Sequence, residues 1–108
     1  MATLIDAKTG LPYLTKQPSE DRLYEMDFSA LLAAGETLSS VSSISQAARG
    51  NVQGAASLNI GAGSTSGSKV QFRISGGTNG EDYKITVVVT TSQGNTLEGE
   101  GWLYVRDL

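Results

Sequence analysis

The stretch "SGGTNGEDYKITVVVTTSQGN", Ser75 to Asn95, reads as turn, strand, turn. Tyr83, Ile85, Val87 and Val89 alternate with Lys84, Thr86, Val88 and Thr90. A period of two is that of a half-buried strand. Gly94 and Asn95 stand where a hairpin must reverse, and both residue types tolerate positive φ. Just upstream, Val70, Phe72 and Ile74 alternate with Lys69, Gln71 and Arg73, which predicts the preceding strand. Downstream, a last strand is expected over about 96–106. It puts Leu97, Leu103 and Val105 on one face and Glu98, Glu100, Trp102, Tyr104 and Arg106 on the other.

Upstream, "LYEMDF" (Leu23 to Phe28) has the same alternation, with Tyr24, Met26 and Phe28 on one side. "SALLAAGE" predicts a short helical turn crossing between sheets, capped by Ser29 and ended by Gly35. In "TLSSVSSI", Leu38 and Ile44 share a face at strand spacing and Val41 does not, so a bulged strand is expected from Thr37 to Ile44. "SQAARGNVQGAAS" reads as irregular, with Gly50 and Gly54 as breakers. "SLNI" is a short strand with Leu58 and Ile60 inward, and "GAGSTSGS" (Gly61 to Ser68) is a hairpin connection.

Short strands at regular intervals, separated by turns, predict an all-β chain, an immunoglobulin-like antiparallel β-sandwich. Thirteen glycines, with abundant Ser and Thr, agree with that class. Tyr83 stands two residues before the inward-facing Ile85. This is the offset of the structural corner tyrosine in such sandwiches, whose hydroxyl bonds back to nearby backbone. The chain divides into residues 1–22, an extended N-terminal arm, and residues 23–108, the sandwich domain. The arm carries Leu4, Ile5, Leu11, Tyr13 and Leu14, too apolar for a wholly disordered tail. It lies either on its own domain or on a neighbouring molecule.

The chemistry-bearing residue types are few. The 108 residues contain no His and no Cys, which removes thiolate and imidazole chemistry and zinc sites built on either. A serine or threonine nucleophile has no histidine to serve as its base. Glu25 with Asp27, and Glu98 with Glu100, lie along single strand faces and read as solvated surface. The segment Thr78 to Asp82, "TNGED", groups oxygen ligands closely but lacks the calcium-loop pattern, so it reads as a polar turn. "GAGSTSGS" lacks a phosphate-binding glycine spacing. These readings give a non-enzymatic protein with no catalytic residue, no cofactor and no metal.

Net charge is −3 and the eight basic residues are scattered, so nucleic acid is not an expected partner. No apolar run has the length of a membrane span, so no membrane partner is expected either. "MATLIDAKTG" contains an acid and lacks a continuous apolar stretch, unlike a secretory signal.

The outer face of the last strand is different. If Leu103 and Val105 face the core, Trp102 and Tyr104 face away from it. Large aromatics in such places are enriched at the centres of interfaces. The other reading is that the arm or a neighbouring loop covers them. The candidate protein interface is therefore Leu4, Ile5, Leu11, Tyr13 and Leu14 of the arm, with Trp102 and Tyr104.

"LYEMDFSALLAAGETLSS" and "RISGGTNGEDYKITVVVTTSQGNTLEGEGWLYVRD" together resemble small tail-associated structural proteins of bacteriophages, of the fibre-tail adaptor type. The resemblance runs from about Pro18 to Arg106 and is most specific over Ser75 to Thr96. It departs at Trp102, where a more polar residue is expected, and matches weakly from Val41 to Lys69. It implies an immunoglobulin-like virion component, made in the host cytoplasm and sited at the tail. Its partners would be other virion proteins: tail, fibre or portal-proximal subunits. Several copies would surround a symmetric tail. Two alternatives stand beside it: a capsid decoration (cement) protein on the head, and a carbohydrate-binding module using Trp102 and Tyr104 as a sugar platform.

Overall fold

The computed structural model describes residues 3–10 and 13–107, with side chains from Ile5 onward. The strands are β1 (Thr3–Asp6), β2 (Leu14–Lys16), β3 (Arg22–Asp27), β4 (Leu38–Ala48), β5 (Leu58–Ile60), β6 (Ser64–Ser66), β7 (Lys69–Gly76), β8 (Asp82–Thr91) and β9 (Thr96–Val105). One sheet runs β1-β3-β7-β5, with β6 also on β7; the other runs β2-β9-β8-β4. The two pack face to face as an all-β sandwich.

The alternating residues supply the core. Tyr24, Met26, Phe28, Val70, Phe72 and Ile74 come from the first sheet and are buried. Ile85, Val87, Val89, Leu103 and Val105 meet them from the second. Burial of this apolar area is the main favourable term for a chain of this size. The β8–β9 hairpin turns at Gly94, whose φ of 79° is left-handed; among the described residues only glycines take such angles, so Asn95 does not.

The segment expected as an arm contributes one strand to each sheet. β1 lies parallel to β3, and β2 lies parallel to β9. The sheets are therefore mixed, where purely antiparallel pairing was expected. The other five pairings are antiparallel.

Two core-facing glycines of β9 make room for this segment. A side chain at Gly101 would overlap the Ile5 side chain, and a Cβ at Gly99 would lie 2.7 Å from the Cβ of Ala7. Ile5 fills the Gly101 position and is fully buried. Polar ties add to it. The Tyr24 hydroxyl donates to the Thr15 carbonyl at 3.1 Å, and burial pushes its pKa up to about 12. The buried Lys16 ammonium donates to the carbonyls of Gln17, Pro18 and Gly76, the last at 2.6 Å across the two sheets. Burial lowers its pKa, against the opposing pull of Glu20 and Asp21.

Three local expectations are corrected. The crossover from β3 to β4 is a single 3-10 turn, Ser29–Leu31, and Ser29 does not cap it. The Asp27 carboxylate accepts the Ser29 N–H at 2.9 Å just ahead of the turn. β4 continues four residues past Ile44, to Ala48. Its register shifts twice, between Leu38 and Ser40 and between Val41 and Ser43. These irregularities turn Val41 as well as Ile44 toward the core.

Candidate protein-interaction face

The site is built on the outer face of β9 and the start of β8. Leu103 and Val105 are buried, so alternation turns Trp102, Tyr104 and Arg106 outward. In the β8–β9 ladder, Asp82 stands opposite Tyr104 and Lys84 opposite Trp102. Asp82 is nearly buried and accepts two cations. Arg106 reaches one carboxylate oxygen at 2.6 Å and Arg49 the other at 3.3 Å.

Each arginine lies over one aromatic ring. The Arg49 guanidinium stands 4.3 Å from the Trp102 ring centroid, and that of Arg106 stands 5.7 Å from the Tyr104 centroid. Tyr13 packs against Tyr104, its ring centroid 5.1 Å away and tilted by 38°. The result is one connected row: Tyr13, Tyr104, Arg106, Asp82, Arg49, Trp102. Guanidinium on an aromatic face gains from the ring quadrupole, and a fixed carboxylate holds the guanidinium where it gains most.

Arg49 comes from the segment between β4 and β5, which a second carboxylate positions. Glu81 is fully buried and accepts the backbone N–H groups of Asn51, Val52 and Asp82 at 3.1, 3.2 and 2.9 Å. Burial works against its ionisation. The backbone donors, Gly50 included, outweigh burial and hold the carboxyl below the ordinary glutamate range. The Arg49 N–H also donates to the Asp82 carbonyl at 2.9 Å.

Tyr83 anchors the far end of that loop. Its hydroxyl donates to the Ala56 carbonyl at 2.6 Å and accepts the Thr78 N–H at 3.0 Å. Both partners are backbone groups, so one side chain ties the segment before β5 to the turn before β8. Neighbouring β9 residues, Glu98 and Glu100 among them, line a groove of about 560 Å³ together with Tyr13, Trp102 and the turn after β1. Glu100 is paired to Lys84 at 3.1 Å.

The expected interface residues separate into three groups. Tyr13, Trp102 and Tyr104 come together on this face, with Tyr13 52% exposed. Ile5 and Leu14 are buried in the core, where β1 and β2 join the sheets. Leu4 lies on β1, beside Glu25 in register, and Leu11 lies outside the described residues. Arg49, Asp82 and Arg106 were not singled out from the sequence as site residues. Asp82 had been grouped with the polar turn, whose acidic side chains bind this chain's own donors. Among the described residues no group of three or more metal-ligating side chains converges.

A family model described as "Podophage GP4 fiber-tail adaptor protein gp77" matches residues 16–104. No curated protein matches, and no solved structure matches. The match covers most of the chain, and the chain belongs to this family of phage fibre-tail adaptor proteins.

Proposed function

We propose, from membership of the podophage fibre-tail adaptor family, that this chain links fibres to the phage tail through protein contacts on the Tyr13–Tyr104–Trp102 face. The observation that carries the reading is the row of three aromatic and two arginine side chains, in which the Asp82 carboxylate holds both arginines and the carbonyls of Glu81 and Val105 hold Arg106 as well. Tyr, Trp and Arg are the residue types that dominate binding energy at protein interfaces. Here they are held in place before a partner arrives, which reduces the ordering cost of association.

The adaptor works without catalysis. Its chain has no His and no Cys, and the carboxylates best placed for chemistry, Glu81 and Asp82, are committed to internal donors. The protein sits at the tail of the virion in several copies around the tail axis. The family favours the tail over the capsid surface. A sugar platform finds less support, because Arg49 covers the Trp102 ring face on which a sugar would stack.

The test is a phage carrying Trp102→Ala with Tyr104→Ala. The purified variant chain keeps its far-ultraviolet spectrum, while particles lose fibres in electron micrographs. Particles with a full set of fibres would take this face out of the junction.

A further inference from the structure

The other end of the second sheet is open. β4 pairs with β8 on one side, and among the described residues no strand pairs with its second side. Edge strands of lone domains are usually short, or protected by charge, proline or bulges. β4 has eleven residues, "LSSVSSISQAA", with no charged side chain and no proline. Its bulges protect only the first half. From Ser43 to Ala48 it pairs with β8 in unbroken register, so its other side offers a regular row of backbone donors and acceptors.

A groove accompanies this edge. It runs between β4 and the β5–β6 connection, about 570 Å³ at the Leu58 end and about 280 Å³ at the Gly63 end. Ile44, Ile60 and Gly61 line both parts, and both isoleucines are only partly buried. The groove is bridged once. The Gln46 side-chain amide donates to the Leu58 carbonyl at 2.7 Å and accepts the Leu58 N–H at 2.6 Å. This engages the Leu58 backbone through the Gln46 side chain and not through the β4 backbone.

We infer that the Ser43–Ala48 edge of β4 pairs antiparallel with the same edge of a second copy of this chain, about a two-fold axis at Ser45. The occupant follows from charge and size. A two-fold at Ser45 sets Ser45 against Ser45 and Ser43 against Ala47 on the outer face, and Ile44 against Gln46 on the inner. Small and neutral side chains meet, with no like charges opposed, as an isologous contact requires. The other edges do not offer this. β1 contains Asp6, β2 contains Lys16, and β5 and β6 have three residues each. The contact is small by the standard of permanent interfaces, so association depends on concentration. The inference is independent of the adaptor reading.

The experiment is sedimentation velocity on the full chain across a concentration series. Wild type passes from monomer to dimer as concentration rises. Ser45→Lys and Ser45→Glu each oppose like charges at the axis and weaken the dimer about tenfold or more. An equimolar mixture of the two variants recovers dimer, because unlike charges now meet. Ser45 is exposed, so both variants keep the wild-type spectrum. A wild type that stays monomeric at every concentration overturns the inference. So does a dimer indifferent to Ser45→Lys, or a mixture that does not recover.

Discussion

The carboxylate of Asp82, on the first residue of β8, lies 2.6 Å from the guanidinium of Arg106, just past the end of β9. The same carboxylate holds Arg49 over Trp102, and it shares the placing of Arg106 beside Tyr104 with the carbonyls of Glu81 and Val105. Asp82→Asn keeps the shape and removes the charge. Both arginines are close to half exposed, so solvent screening keeps the stability loss to about 1 kcal/mol or less. The larger effect is local. Trp102 is the only tryptophan, and its emission changes as Arg49 leaves its ring. Urea titration followed by circular dichroism, and by Trp102 fluorescence, separates the two effects.

Ile5 and Gly101 form a complementary pair across the N-terminal strand and β9. Gly101→Ala overfills the site and lowers stability by about 1–3 kcal/mol. Ile5→Ala empties it and costs about 2–5 kcal/mol. In the double variant the new methyl occupies part of the space Ile5 leaves, so its loss is smaller than the sum of the two single losses. Chemical denaturation of the four proteins measures the coupling, and strict additivity would contradict the pairing.

Tyr83→Phe removes a hydroxyl with two backbone partners, Ala56 and Thr78. The ring still fits the core, so the fold persists. The lost bonds cost about 1–3 kcal/mol, because a carbonyl and an N–H lose their partner. Amide exchange quickens at Thr78 and in the segment between β4 and β5, more than in the β3–β7 pair. Uniform acceleration would show that the hydroxyl does not anchor that segment specifically.

Acid reveals the two buried glutamates. Glu81 has its pKa held low by backbone N–H groups working against burial. Glu36 is held low by the Ala33 N–H, the Thr91 hydroxyl and the Asn95 amide. A carboxyl with a folded pKa below its unfolded value binds fewer protons folded than unfolded. Its stabilisation is complete above the unfolded pKa and is lost as pH falls through the folded one. Stability therefore declines from the ordinary glutamate range downward. Glu81→Gln lowers stability at neutral pH and flattens that decline. An unchanged acid slope in Glu81→Gln would remove Glu81 from the linkage.

The sequence showed most where one strand face is buried. Alternation located β3, β7, β8 and β9 and turned Trp102 and Tyr104 outward, because a period of two is a local property. The contribution of β1 and β2 was not legible. Ile5 is buried because Gly101, 96 positions along the chain, leaves it room, and nothing local to "TLID" records that. Pro12, Pro18 and the polar run "KQPSEDR" read as an arm. Arg49 stood in a segment with no periodicity, and bonds from Glu81, Asp82 and Tyr83, distant in sequence, hold that segment beside β8. Asp82 looked like a turn residue, because its two cations come from distant parts of the chain. The end of β4 was missed for a related reason. Its outward residues are Ser and Ala, so alternation fades although pairing with β8 continues.

The most direct measurement places a photo-crosslinking amino acid at Tyr104 in intact particles and identifies the attached protein by mass spectrometry. The account predicts adducts to a fibre or tail subunit, lost when Asp82→Asn is introduced in the same chain. Adducts to the major capsid protein alone, or the same adducts with and without Asp82, would contradict it.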